Sequence, residues 1–113
     1  MHDVRELGIA QVVGRTVDIV GERPAFLSVD VDVLDPAFAP GTGTPEPGGM
    51  TTGDLLWACR EIAGRVELVG ADVVEVIPTA VGSADLTALA ADRIVREILT
   101  GLAAAKDASL SPE

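Results

Sequence analysis

Residues 28–49 read SVDVDVLDPAFAPGTGTPEPGG, a stretch in which two acidic residues interrupt an apolar run just before Pro and Gly take over. The segment AFLSVD, residues 25–30, is short, apolar and partly β-branched, which predicts a buried parallel strand. Residues 33–49 are too rich in Pro and Gly to form a regular element. Because a long loop in a compact domain is usually functional, this stretch predicts a strand that delivers carboxylates to a functional loop.

The segments on either side of this stretch predict helices and one further strand. Apolar residues recur at helical spacing over residues 9–20, and Gly21 is a plausible stop. Thr51 is a typical cap for a next helix that ends at Gly64. Residues 67–77 have the composition of a second buried strand. A last helix is then predicted to run to about residue 104.

This order of elements predicts an α/β fold, a three-layer parallel sheet with helices on both faces. The predicted cap of the last helix is Ser83 or Asp85. We expect residues 1–105 to form one domain and residues 106–113 to be a flexible tail. Two strands that are apolar on both faces need neighbours on both edges. We therefore expect this chain to be a partial piece of a larger sheet, poorly stable alone or paired with something.

Composition and charge exclude several classes of function. The net charge of −10 repels phosphate backbones and anionic lipid, which argues against nucleic-acid and membrane-surface binding and favours a cationic ligand. The sequence contains no apolar run long enough for a transmembrane helix, and its N-terminus does not resemble a signal peptide. The single cysteine, Cys59, cannot form an internal disulfide and most simply packs in the core. We expect a cytoplasmic protein.

Three acidic residues lie at or near the ends of the two predicted strands. Asp30 and Asp32 come at the end of the first strand, where a spacing of two in extended backbone would point both carboxylates the same way. Glu75 lies near the end of the second strand. Ligands of open α/β sheets bind beyond the carboxyl ends of the strands, and carboxylate oxygens suit Mg, Ca or Mn. The pattern predicts a cation site, with turn capping, as at Asp35-Pro36, as the structural alternative.

Residues 28–49 also closely resemble the third signature of the ureohydrolase family, which includes arginases, agmatinases, guanidinobutyrases and formimidoylglutamases. The similarity continues through GADVVEVIP, residues 70–78, and DLTALAADRIVREIL, residues 85–99, where the sequence is more similar to agmatinases than to arginases. The resemblance implies the arginase-like fold and hydrolysis of a guanidino or formimino group at a two-manganese centre, with release of urea.

The resemblance also implies a role for individual residues. Asp30 would bridge two Mn²⁺ ions and Asp32 would bind one of them. Glu75 would hold the cationic guanidinium of a small substrate, and Thr44 would line the substrate pocket. Ser28 would support the metal ligands from behind.

Two earlier signatures of the family, G-G-D-H and D-A-H-x-D, are absent from this sequence. In the family they carry the histidine ligands, and the only histidine here is His2. We therefore expect the chain to correspond to the C-terminal part of a ureohydrolase, to be inactive alone, and to need a complementing fragment or a homo-oligomer. The alternatives are a non-catalytic truncated homologue, a partner-binding α/β module, or a protein that binds one cation through its three strand-end acids.

Overall fold

The computed structural model describes residues 1–77 and 83–110. Its elements, in chain order, are α1 His2–Leu7, α2 Ile9–Val20, β1 Pro24–Asp30, a 3-10 turn at Val31–Val33, α3 Thr52–Arg65, β2 Glu67–Val74 and α4 Ser83–Leu110. The predicted alternation of helices and strands is confirmed. Within the described part, no helix combines the length and the apolar character needed to cross a lipid bilayer.

The two strands form one parallel pair joined by the crossover through α3. Ser28 lies opposite Asp72 in the register, and Asp30 lies opposite Val74. Because both strands run in the same direction, they end together at one edge of the sheet. This parallel pairing agrees with the predicted parallel sheet and brings the residues that follow each strand to the same end of it.

The core lies between one face of this sheet and helices α3 and α4. The strands contribute Val29 together with the partly buried Leu27 and Val73, while α4 contributes the buried Ile94 and Ile98. The opposite face of the sheet is open among the described residues. It carries Phe26, which is 61% exposed, with Ser28 and Asp72. The described residues therefore form the sheet and one helical layer of the predicted architecture.

Helices α3 and α4 cross where two glycines meet. A Cβ placed on Gly101 would lie 3.1 Å from the Gly64 backbone nitrogen, and a Cβ placed on Gly64 would lie 3.4 Å from the Gly101 carbonyl oxygen, so the two helices approach closely here. Near the crossing, the Glu97 carboxylate of α4 forms two ion pairs. Its Oε2 lies 3.6 Å from Nε of Arg60 in α3, and its Oε1 lies 3.3 Å from Nη2 of Arg93. The close approach and the ion pair between Arg60 and Glu97 both hold α4 against α3, whereas the Arg93 pair lies within α4.

Three predicted boundaries differ from the structure. Helix α3 continues through Gly64 to Arg65, because that glycine is used for helix packing and not as a stop. Strand β2 ends at Val74 and not at residue 77, because the next residue leaves the extended conformation. Helix α4 runs to Leu110, which includes much of the segment predicted as a flexible tail. The side chains of the predicted α4 caps, residues 83 and 85, lie outside the described part of the chain.

Two local predictions are confirmed. Thr51 caps α3, because its hydroxyl accepts a hydrogen bond of 3.2 Å from the backbone N–H of Asp54. Cys59 is buried in the core, and burial raises the pKa of its thiol to about 11. The cysteine is therefore a packing residue whose thiol stays protonated at neutral pH.

Candidate functional site

The first predicted metal ligand, Asp30, lies at the end of β1 and shapes the turn that follows. Its Oδ1 accepts a hydrogen bond of 3.0 Å from the backbone N–H of Asp32, which closes the 3-10 turn. The expectation that Asp30 and Asp32 share one extended strand is therefore wrong. The strand ends at Asp30 because the Asp30 side chain accepts a hydrogen bond from the backbone that follows, in competition with the hydrogen bonds of the sheet.

Asp32 is connected to the loop that follows it. The hydroxyl of Thr44 donates a hydrogen bond of 2.7 Å to Oδ2 of Asp32. A predicted metal ligand and a predicted substrate-pocket residue are therefore in direct contact, although twelve residues of irregular chain separate them. The loop folds back over the end of the strand that it leaves.

Glu75 reaches the same region from the end of β2. Its carboxylate lies beside the loop, with Oε2 at 3.8 Å from the position of a Cβ on Gly43. The backbone of Glu75 has φ of 68°, the left-handed conformation that residues other than Gly rarely adopt. Such strain costs about 1–3 kcal/mol and persists mostly at functional sites. The fold therefore keeps a strained backbone at Glu75, in a conformation that places the carboxylate beside the loop.

Replacing Glu75 with glycine is expected to raise the free energy of unfolding by about 1 kcal/mol, because glycine relieves the left-handed strain. The control is Glu67→Gly in β2, where the backbone is extended and the same replacement is expected to cost about 0.5–1 kcal/mol. Urea denaturation of both variants measures the difference. A loss of stability in Glu75→Gly equal to that in the control would show that Glu75 is not strained.

The base of the loop is tied together by Asp35. Its carboxylate accepts hydrogen bonds of 2.9 Å from the backbone N–H groups of Ala37 and Gly48, at the two ends of the loop. Its own N–H donates to the Met50 carbonyl at 3.0 Å. The hydrogen bonds from Ala37, Gly48 and then Gly49 hold the pKa of the Asp35 carboxyl below its ordinary value. The structural interpretation of Asp35-Pro36 as a turn is thus confirmed.

This lowered pKa predicts a pH dependence of stability. The stabilisation is complete above the unfolded-state pKa of Asp, about 3.9, and is lost as the pH falls through the lower pKa of the folded state. The stability advantage of the wild type over Asp35→Asn should therefore shrink as the pH falls below about 4. Urea denaturation across this range tests it, with Asp18→Asn on the exposed side of α2 as the control. An advantage that is independent of pH would contradict this role.

Ser28 has a different partner from the one predicted. Its hydroxyl donates a hydrogen bond of 2.6 Å to Oδ1 of Asp72, directly across the parallel pair. The hydroxyl proton is therefore used between the strands, and support of the metal ligands by Ser28 stays a prediction. The same contact gives Asp72 a structural role between the two strands.

The three strand-end acids do not form one complete site. Over residues 1–77 and 83–110, no group of three or more His, Cys, Asp or Glu side chains is arranged to hold a metal ion. The predicted cation site made from Asp30, Asp32 and Glu75 together therefore stays a prediction. The 3-10 turn moves Asp32, but not Asp30, away from the position that an extended strand would give it. The chain supplies Asp30 and Asp32 after β1, with Thr44 hydrogen-bonded to Asp32, and Glu75 after β2 beside Gly43.

The structure adds residues that sequence reasoning missed. Gly41 donates its N–H to the hydroxyl of Thr87, in a buried hydrogen bond of 2.7 Å. The Gly41 carbonyl accepts a hydrogen bond of 2.9 Å from Ile77. The Oγ1 of Thr42 is buried and has no hydrogen-bond partner among the described residues. The only sequence signal for Thr87 was a polar residue on the apolar face of a predicted helix.

The sequence of this chain is similar to those of known proteins. A sequence profile described as the arginase family matches residues 1–101. Putative agmatinase 1 of Schizosaccharomyces pombe is 47% identical over 99 residues, which cover 88% of this chain and 25% of that protein. The guanidinopropionase of Pseudomonas aeruginosa is 49% identical over 104 residues, or 91% of this chain and 32% of that protein.

A solved structure is also similar to this chain. The crystal structure of a hypothetical agmatinase from Burkholderia thailandensis matches with a TM-score of 0.82 and 46% identity, over 93% of this chain and 32% of that chain. This chain therefore spans about a quarter to a third of the length of the proteins that it resembles.

Proposed function

Because this chain belongs to the arginase family, we propose that it supplies one side of a manganese-dependent active site that hydrolyses a small guanidino compound and releases urea. The observation that carries the proposal is the hydrogen bond between Thr44 and Asp32, beside the carboxylate of Glu75. It joins the residues assigned to the metal with those assigned to the substrate. Relatives named agmatinase and guanidinopropionase are similar to this chain, so the class of substrate is a small molecule with a guanidino group.

The chemistry of the donor set fits manganese in part. Asp30 and Asp32 offer hard carboxylate oxygens, and each uses one oxygen for the hydrogen bonds described above. Manganese, when bound, would lower the pKa of a water molecule and polarise the substrate. Two carboxylates cannot by themselves hold two such ions, so further ligands must come from outside the described residues.

Substrate binding is assigned to Glu75 and Thr44. A carboxylate next to a guanidinium makes a charge-assisted contact, and the net charge of −10 favours approach of a cation. The left-handed backbone of Glu75 holds its carboxylate beside the loop that carries Thr44. This pair orients the guanidinium toward the side of the site that Asp30 and Asp32 form.

The remaining ligands lie outside the described residues, and we propose that a complementing polypeptide or a second copy of the chain can supply them. Among the described residues, β1 and β2 pair only with each other, so each strand has one unpaired edge. Apolar side chains flank these edges, including Val95 and Leu99 of α4 beside β2. A partner that continues the sheet would cover both edges and bring its ligands to the same end of the strands. We place this assembly in the cytoplasm.

The test is a mixture of this chain with a polypeptide that covers the remainder of a related agmatinase. We expect urea release from agmatine or guanidinopropionate that depends on added Mn²⁺ and on both components. A matched mixture that contains Asp30→Asn should be inactive. Absence of urea release from a mixture that forms a folded complex would contradict the proposal.

A second candidate is a non-catalytic α/β module that binds a partner, and the unpaired strand edges favour it. Size-exclusion chromatography with light scattering, followed by the urea assay, separates the two. A complex that forms without urea release would support the binding module. A well-folded monomer that binds no partner would contradict both.

A further inference from the structure

Thr87 is a buried polar residue in an apolar environment. It lies in α4 and has no exposed surface, and the core residues Ala90, Ile94 and Ile98 follow it along the helix. A buried hydroxyl is costly unless it is hydrogen-bonded. The Thr87 Oγ1 accepts the N–H of Gly41 at 2.7 Å, and this bond is itself buried. The helix therefore holds the loop through this hydrogen bond.

Gly41 is held from two sides at once. Its N–H is bound to α4, and its carbonyl accepts a hydrogen bond of 2.9 Å from Ile77, which follows β2. A Cβ at Gly41 would lie 2.9 Å from the Thr87 hydroxyl and 3.2 Å from the Ile77 carbonyl oxygen, closer than normal contacts allow. The loop thus passes through a narrow gap between α4 and the segment that carries Glu75, where a side chain at position 41 would force its neighbours to shift.

The residues just after this gap are those assigned to the substrate. A Cβ at Gly43 would lie 3.8 Å from the Glu75 carboxylate, and Thr44 donates to Asp32 at 2.7 Å. We propose that Thr87 is a positioning residue for this site. Its hydroxyl fixes the distance between the Thr44 loop and the Glu75 carboxylate, and so controls how well the guanidinium is held. This role rests on the proposed function, and the loop contact can be tested without it.

The test compares Thr87→Val, which keeps the shape and removes the hydroxyl, with Thr87→Ser, which keeps the hydroxyl. In the chain alone, the Gly41 amide should exchange with solvent about tenfold faster in Thr87→Val than in Thr87→Ser, measured relative to the Ile94 amide. The NMR contact between Gly43 and Glu75 should weaken only in the valine variant. In the complemented protein, Thr87→Val should raise the KM for the guanidino substrate about tenfold, with the Mn²⁺ concentration for half-maximal activity unchanged.

Equal behaviour of the valine and serine variants would overturn the proposal, as would a Gly43–Glu75 contact that persists in Thr87→Val. An equal loss of manganese and substrate affinity would reduce Thr87 to a structural residue and would also overturn it. If the wild-type mixture releases no urea, the proposed function fails. The amide exchange and the Gly43–Glu75 contact then decide the positioning role by themselves.

Discussion

Replacing Gly101 with alanine is expected to lower the free energy of unfolding by about 2 kcal/mol or more. The added methyl would overlap the Arg60 carbonyl oxygen and lie 2.9 Å from Ala63 Cβ and 3.1 Å from Gly64 N. Overpacking of this kind costs about 3 kcal/mol, whereas the better helix propensity of alanine returns about 1 kcal/mol. Backbone atoms cannot rotate away, so the crossing of α3 and α4 must open. Urea denaturation followed by fluorescence of the single tryptophan, Trp57, measures the loss.

Gly14→Ala in α2 is the matched control for this experiment. It is also inside a helix, but a Cβ at Gly14 would meet nothing within 4 Å. Only the better helix propensity of alanine remains, so Gly14→Ala should raise the free energy of unfolding by about 1 kcal/mol. The two substitutions are chemically identical and should have opposite signs. A stabilising effect of Gly101→Ala would contradict the close approach of α3 and α4.

Replacing Asp30 with asparagine is expected to reduce urea release by the complemented protein more than about a hundredfold. Loss of an outer partner of a metal ligand typically costs about 10–100-fold, and loss of a ligand itself should cost more. The amide can still accept the hydrogen bond from the Asp32 N–H, so the 3-10 turn should survive. The expected signature is therefore a loss of manganese affinity and of urea release without a comparable loss of stability.

Asp72→Asn is the control for charge at this end of the sheet. Asp72 lies opposite Ser28 in the register and accepts its hydroxyl proton. An asparagine can accept the same hydrogen bond, and the residue is not assigned to the metal. Urea release should fall less than about tenfold. Equal losses in Asp30→Asn and Asp72→Asn would show that general charge, and not metal ligation, explains the effect.

Local patterns in the sequence predicted the elements but not every boundary. The apolar periodicity of residues 9–20 and the apolar run at residues 25–30 each correspond to an observed element. Gly64 was predicted to end its helix by a local rule. The rule failed because Gly64 is in contact with Gly101, which lies in another helix and is distant in sequence. A contact of that kind has no signature in a local pattern.

The geometry of the site was less predictable than its residues. The family signature already suggested that Asp32 and Thr44 belong to one site, and a hydrogen bond joins them. The prediction that Asp32 continues the strand is wrong. The backbone N–H of Asp32 donates a hydrogen bond to the side chain of Asp30, and the strand ends there. The left-handed backbone of Glu75 was not predicted either, since such a conformation usually coincides with glycine or asparagine in a sequence. Thr87 was missed because its partner lies in a remote loop.

The most direct test of the account is X-ray diffraction from the complemented protein crystallised with Mn²⁺, with data collected at the manganese absorption edge. We expect anomalous peaks within bonding distance of the carboxylates of both Asp30 and Asp32, on the side of the loop that carries Thr44. Peaks that contact neither carboxylate, or full occupancy by manganese that persists in Asp30→Asn, would contradict it.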